Sequence, residues 1–218
     1  MQEYATTPVF SQVGGYNAAA VNLTLSSPDP NITIYYTING DEPNNTSTQY
    51  TAAINIATTA VIKAIAYSSD PNIPSSFIDY HTFFILPDTH SIPILSIAGD
   101  QVDDLLNGNG WIEPEGTVEW FDENGNLLDK GTGEYNKHGN DSWAYDQRGF
   151  DFVMRDQFGY NYALQDKIFM TKNRDKFQRV IVKAAANDNY PFSYGGSGAH
   201  IRDAYVHHLS QLADLRMD

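Results

Sequence analysis

Residues 137–159 read KHGNDSWAYDQRGFDFVMRDQFG: a Gly-Asn-Asp-Ser turn directly before a strand-like run, with an arginine at the strand's entrance. Gly139, Asn140, Asp141 and Ser142 offer backbone N–H groups and a hydroxyl, and successive N–H groups in such turns can form a concavity that holds an anion. Arg148 would add a guanidinium that binds phosphate through two parallel hydrogen bonds. The same four residues are also good turn formers. By themselves they leave phosphate holding and simple chain reversal both open.

A second set lies near the C-terminus. His200, Asp203 and His207 fall at i, i+3 and i+7, so one helix face would present imidazole, carboxylate and imidazole together, a zinc-like donor set. A solvated polar face opposite the apolar stripe explains them more simply, and no fourth convergent ligand is evident, so no metal site is assigned. Asn187 and Asp188 follow a strand, where ligands often bind, yet Asn-Asp is also a turn signal. Glu113 and Glu115 flank Pro114 in a loop; acid–base work there would need a raised pKa in a pocket. Asn22, Asn31, Asn44, Asn45 and Asn140 begin Asn-x-Ser/Thr triplets, which matter only in a glycosylating secretory route.

Composition narrows the classes. A net charge of -14 over 218 residues argues against a nucleic-acid or anionic-membrane partner. With no cysteine there is no disulfide scaffold, thiolate metal site or cysteine nucleophile. No apolar run is long enough to span a membrane. Met1 followed by QEYATTP reads as a mature N-terminus with an initiator methionine, in keeping with an exported, strand-rich protein.

The elements that must carry these residues divide near residues 68–90. From Pro8 to Leu86 the pattern is almost purely period two. Val21, Leu23 and Leu25 share one face, and so do Ile32, Ile34, Tyr36 and Ile38. Asn39-Gly40 marks a hairpin or corner. Short strands at this spacing predict an antiparallel β-sandwich of roughly seven strands, small and self-contained. From His90 the reading becomes mixed α and β. SIPILSIAG is a strand, and DQVDDLLNG a short helix with Asp100 as N-cap, Val102, Leu105 and Leu106 inward, and a glycine stop at Gly108. A hairpin turns at Asn124-Gly125, and FDFVMRDQFGYNYAL and QRVIVKAAA give two further strands. A helix follows whose apolar stripe is Ile201, Ala204, Tyr205, His208, Leu209 and Leu212, the spacing of a helix packed on one side. His208 within that stripe reads as a hydrogen-bonded core histidine.

Two resemblances sharpen this division. IYYTINGDEP followed by TAVIKAIAY, within residues 8–86, resembles the chitobiase/β-hexosaminidase C-terminal-type domain, an Ig-like accessory sandwich of exported bacterial proteins. The resemblance implies that Tyr35 or Tyr50 would stack on a sugar if the module binds glycan; ordinary strand tyrosines are the alternative.

GNDSWAYDQRGFDFVMRDQFG is similar to the CotH kinase family, the spore-coat-protein-H-like atypical kinases. There a Gly-Asn-Ser-Thr-Trp type loop leads to a Lys-Lys pair and a strand. SIPILSIAGDQVDDLL, GTVEWFDENGNLL, FQRVIVKAAANDN and HIRDAYVHHLSQLADLRMD resemble that family's flanking blocks in order.

The expected fold is therefore mostly β and then α+β: an extension at 1–7, an Ig-like antiparallel β-sandwich at 8–86, and at 87–218 a mixed α/β region like the N-terminal lobe of a CotH-like kinase. The resemblance implies ATP and Mg²⁺ as cofactors, with Gly139, Asn140, Asp141, Ser142 and Arg148 on the nucleotide. It also implies a protein acceptor and a bacterial cell-surface or extracellular setting. Gln147 and Arg148 stand where the family has its lysine pair, which places activity in question. Arg202 and Asp203 resemble a family pair and are read as an internal ion pair. The family's catalytic aspartate and metal-binding acids follow the helix that starts near Ile201, so the chain is expected to be a fragment, partnered by the rest of its own chain or a larger assembly. A catalytically silent scaffold relative and a carbohydrate-binding module are the competing expectations.

Overall fold

The structure is a computed structural model and describes residues 4–86, 89–140, 143, 147–159, 161–169, 172–183 and 202–213. The first unit consists of nine short strands. These are β1 (Val9–Phe10), β2 (Gly15–Asn17), β3 (Val21–Leu23), β4 (Leu25–Ser26), β5 (Ile32–Thr37), β6 (Thr48–Gln49), β7 (Ile54–Ile56), β8 (Ala60–Ser68) and β9 (Asp79–Ile85). One sheet runs β2-β9-β8-β5-β6, and the ribbons β3-β7 and β1-β4 complete the sandwich. Period two does its work here. Leu23, Ile34, Ile54, Ile56, Ile62 and Phe83 close on one another as the core.

Two details depart from the expectation. β2 pairs with β9 in parallel, Gly15 opposite Phe83; a parallel pair needs a long crossover, and the whole chain from residue 18 to 78 supplies it. Ile38 lies beyond the end of β5 and is exposed, because the chain turns at Gly40, whose φ is +81°.

The second unit is an antiparallel meander of β10 (Ile94–Ala98), β11 (Glu115–Phe121), β12 (Leu127–His138), β13 (Gly149–Met154) and β14 (Arg179–Val182). Helix α1 (Val102–Leu106) lies between β10 and β11 in sequence and covers one face, where Val102 and Leu105 meet Val118, Tyr135, Phe150 and Phe152. Gly125, at φ +76°, makes the β11–β12 turn. The protein is thus mostly β, with its second sheet entirely antiparallel among the described residues.

Asp100 does not cap α1. Gln101 holds the N-cap position without a side-chain bond, and the Asp100 carboxylate instead accepts the backbone N–H of Glu42 in the sandwich. A cross-unit partner has outcompeted the local one. Helix α2 (Arg202–Leu212) forms as its sequence predicts, but Tyr205, Leu209 and Leu212 are exposed, as is His208, and Ser210 is the buried residue. Among the described residues nothing covers the apolar stripe, so His208 is not a core histidine.

The two units are sewn together along β9. Phe83 and Ile85 enter the sandwich core, and on the opposite face Phe84 meets Phe121 edge-on at 5.2 Å. Between the sheets lies a polar seam. Glu119, 2 % exposed, accepts from Thr82 Oγ1 at 2.5 Å, which leaves Ser96 Oγ to donate to Thr82 at 2.7 Å. His81 Nδ1 lies 3.3 Å from the other Glu119 oxygen, off hydrogen-bonding alignment. Lys130 Nζ binds Asp79 and the carbonyl of Tyr80, and Lys63 Nζ binds Glu42. The sandwich is therefore not self-contained: its last strand has both faces buried.

Candidate functional site

The β12–β13 connection is positioned by its strands' register, Lys137 opposite Phe150 and His138 opposite Gly149. Gly139 leaves β12 at φ +94°, a left-handed conformation that glycine adopts without strain. Trp143, 8 % exposed, plugs the loop into the core. Its indole N–H donates to the His138 carbonyl at 2.9 Å and to the Gly149 carbonyl at 3.0 Å, drawing the two strand ends together. Two cations flank the indole. Lys137 Nζ lies 5.1 Å and Arg148 Cζ 5.9 Å from its ring centre, a favourable placement against the ring quadrupole.

On the opposite face of the sheet from this tryptophan lies a buried carboxylate. Asp151 is 4 % exposed. His138 Nδ1 sits 3.1 Å from one of its oxygens, and Arg179 Nη2 binds the other. Lys137 and Arg148 thus flank Trp143 on the face that α1 covers, while His138 and Arg179 hold Asp151 on the opposite face of the sheet, in a chain of net charge -14.

The nucleotide-site candidates fare unevenly. Gly139 and Asn140 are exposed at the loop's entrance, and the Asn140 carbonyl accepts the Trp143 N–H at 3.0 Å. Asp141 and Ser142 lie outside the described residues. Arg148 is turned to structural partners: Nη1 donates to the Leu106 carbonyl at 2.9 Å and Nε to the Trp143 carbonyl at 3.3 Å. It satisfies a carbonyl at the C-terminal end of α1, where cations are favoured.

The other candidates separate as well. Among the described residues no group of His, Asp or Glu could hold a metal ion; His200 and the side chains of Arg202 and Asp203 lie outside them, as do Asn187 and Asp188. Glu113 and Glu115 are exposed. Burial, then the nearby carboxylates of Glu42 and Glu134, pushes the Glu115 carboxyl upward, but it faces solvent rather than a pocket. Tyr50 packs on the sandwich core beside Tyr36, whereas Tyr35 pairs edge-on with Tyr67 at 5.7 Å. Lys137, His138, Trp143, Asp151 and Arg179 were not singled out from the sequence. A Lys-His pair ahead of the glycine in an acidic chain was the available signal; Arg179, 28 residues from Asp151, had none.

The first unit is an Ig-like β-sandwich. Its residues 12–77 match the family described as the chitobiase/beta-hexosaminidase C-terminal domain. No family match covers the second sheet, and no curated protein or solved structure was found similar to the chain. Among the described residues no helix is long and apolar enough to cross a membrane.

Proposed function

We propose that residues 90–218 are the phosphate-handling, N-terminal part of a CotH-like protein kinase, carried beside an Ig-like accessory domain on an exported bacterial protein. The observation behind this reading is the pair of cations, Lys137 and Arg148, set on Trp143 at a glycine-entered loop in an acidic chain. Phosphoryl transfer depends mainly on positioning and charge stabilisation. Lys137 is exposed at the loop mouth and would carry the ionic contact to a phosphate, while Arg148 and Trp143 hold the loop's shape.

ATP is the expected phosphate donor, and a protein hydroxyl the acceptor. For Mg²⁺ the fit is poor within the described residues, which bring no three acidic or histidine side chains together. No step through the metal is assigned to them.

Titration of ATP, with and without Mg²⁺, into the protein tests the reading. Saturable binding is expected, weakened about tenfold by Lys137→Ala, the loss of one charge-assisted contact. A folded protein that binds no ATP sinks it. The outcome would then favour a scaffold module, the reading supported by the commitment of Arg148 to two backbone carbonyls. Glycan binding by the sandwich draws support from the half-exposed Tyr35–Tyr67 pair; a glycan array with wild type and Tyr35→Ala tests it, and equal signals would remove it.

A further inference from the structure

Trp111 is 97 % exposed, the most exposed large apolar side chain among the described residues. Its neighbours are not loose. Gly110 N–H bonds the Gly108 carbonyl at 3.0 Å, and Ile112 packs on the core of the second sheet. The loop rests directly on the candidate site: a Cβ at Gly110 would lie 2.7 Å from Lys137 Cδ and 3.0 Å from the Trp143 ring. Gly108, at φ +120°, approaches the Arg148 guanidinium in the same way. Two glycines thus let this loop lie against the cations, while packed residues on both sides of Trp111 hold its indole outward beside them. Leaving a whole indole in water forfeits the burial that an aromatic side chain ordinarily gains. A planar apolar surface next to a cation-lined loop suits a ligand with a flat ring at one end and anionic groups at the other.

Resting on the phosphate-site reading, we propose that Trp111 is a stacking platform for the base of a nucleotide whose phosphates sit at the Lys137–Asn140 end of β12. Stacking on an exposed indole tolerates any base, because every base has a π face. The platform therefore selects nucleotides over inorganic phosphates without choosing strongly among bases.

Calorimetric titrations of ATP and of inorganic tripolyphosphate into the wild-type chain and into Trp111→Ala and Trp111→Phe separate the possibilities. Expected is an ATP affinity about tenfold or more weaker in Trp111→Ala, the scale of one lost base stack. Tripolyphosphate affinity should be unchanged by that substitution, and Trp111→Phe should recover most of the ATP binding. Equal ATP affinity in wild type and Trp111→Ala overturns the platform while leaving the phosphate site standing. Equal loss of both ligands overturns it too, since the substitution would then be acting on the loop. Wild-type protein that binds neither ligand removes the phosphate site and the platform together.

Discussion

Lys63 shows how far a single side chain depends on its surroundings. In AVIKAIAY its position on β8 predicts a solvent-facing lysine, yet its side chain is fully buried because the second sheet lies over it. Burial pushes its pKa down, and the Glu42 carboxylate pulls it back up. Glu42 remains a quarter exposed. The two partners should therefore respond differently to removal. Glu42→Ala strands a buried ammonium and is expected to cost about 3–5 kcal/mol, whereas Lys63→Met leaves a carboxylate that can reach water and should be near neutral. Urea unfolding of both variants measures this, and equal losses would show that the pair is not held as described. Gly125 makes a sharper case. A Cβ there would fall 2.4 Å from the Tyr16 ring at a φ of +76°, so Gly125→Ala should destabilise both the turn and the seam.

At the scale of elements, strands were legible because alternation is written into their residues. Turns at Gly40, Gly125 and Gly139 were legible because positive φ selects glycine. Helix α2 was legible as a helix, and its stripe misled as to burial, since period reports which residues share a face and not whether anything covers it. The same limit hid the candidate site. Gly139, Asn140 and Arg148 could be marked from motif chemistry, but the use of Arg148 on the Leu106 carbonyl depends on α1 arriving beside it. Trp143 is the element's anchor. Trp143→Phe keeps the ring and removes the N–H that bridges His138 and Gly149. Faster amide exchange across the C-terminal end of β12 and the start of β13 is expected, with a stability loss of about 1–3 kcal/mol for the two carbonyls left short of a donor. Unchanged exchange would mean that the plug alone holds the loop.

For the molecule as a whole, β9 is the shared strand, and its loss of cover is the consequence to test. Phe121→Ala removes a fully buried ring from the seam and is expected to cost about 3–5 kcal/mol. It should lower the unfolding midpoint of both units together; loss in the second unit alone would mean that they fold independently. Alkali probes the same joint core. Tyr80 and Tyr135 are buried, and desolvation holds both phenols well above their ordinary range. In the unfolded chain they ionise near pH 10, so above that pH the unfolded state releases two protons that the folded state keeps. Stability should then fall by about 2.7 kcal/mol per pH unit. Lys63 acts in the opposite sense, its lowered pKa giving a rise in stability with pH that ends near its ordinary value. The last two tyrosines to ionise, followed by absorbance, should therefore titrate together with unfolding above pH 10, and Tyr80→Phe with Tyr135→Phe should remove that step; its persistence in the double variant would refute the assignment. The sequence by itself determined the strand-rich character and the sharp turns, because these follow from local alternation and from backbone sterics. Only the tertiary structure decided that β9 has two buried faces, that Lys63 and Glu119 are interior, and that Lys137 and Arg148 meet at Trp143 while His138 and Arg179 meet at Asp151. Those facts depend on which surfaces come together across long stretches of chain, and no local pattern carries that information.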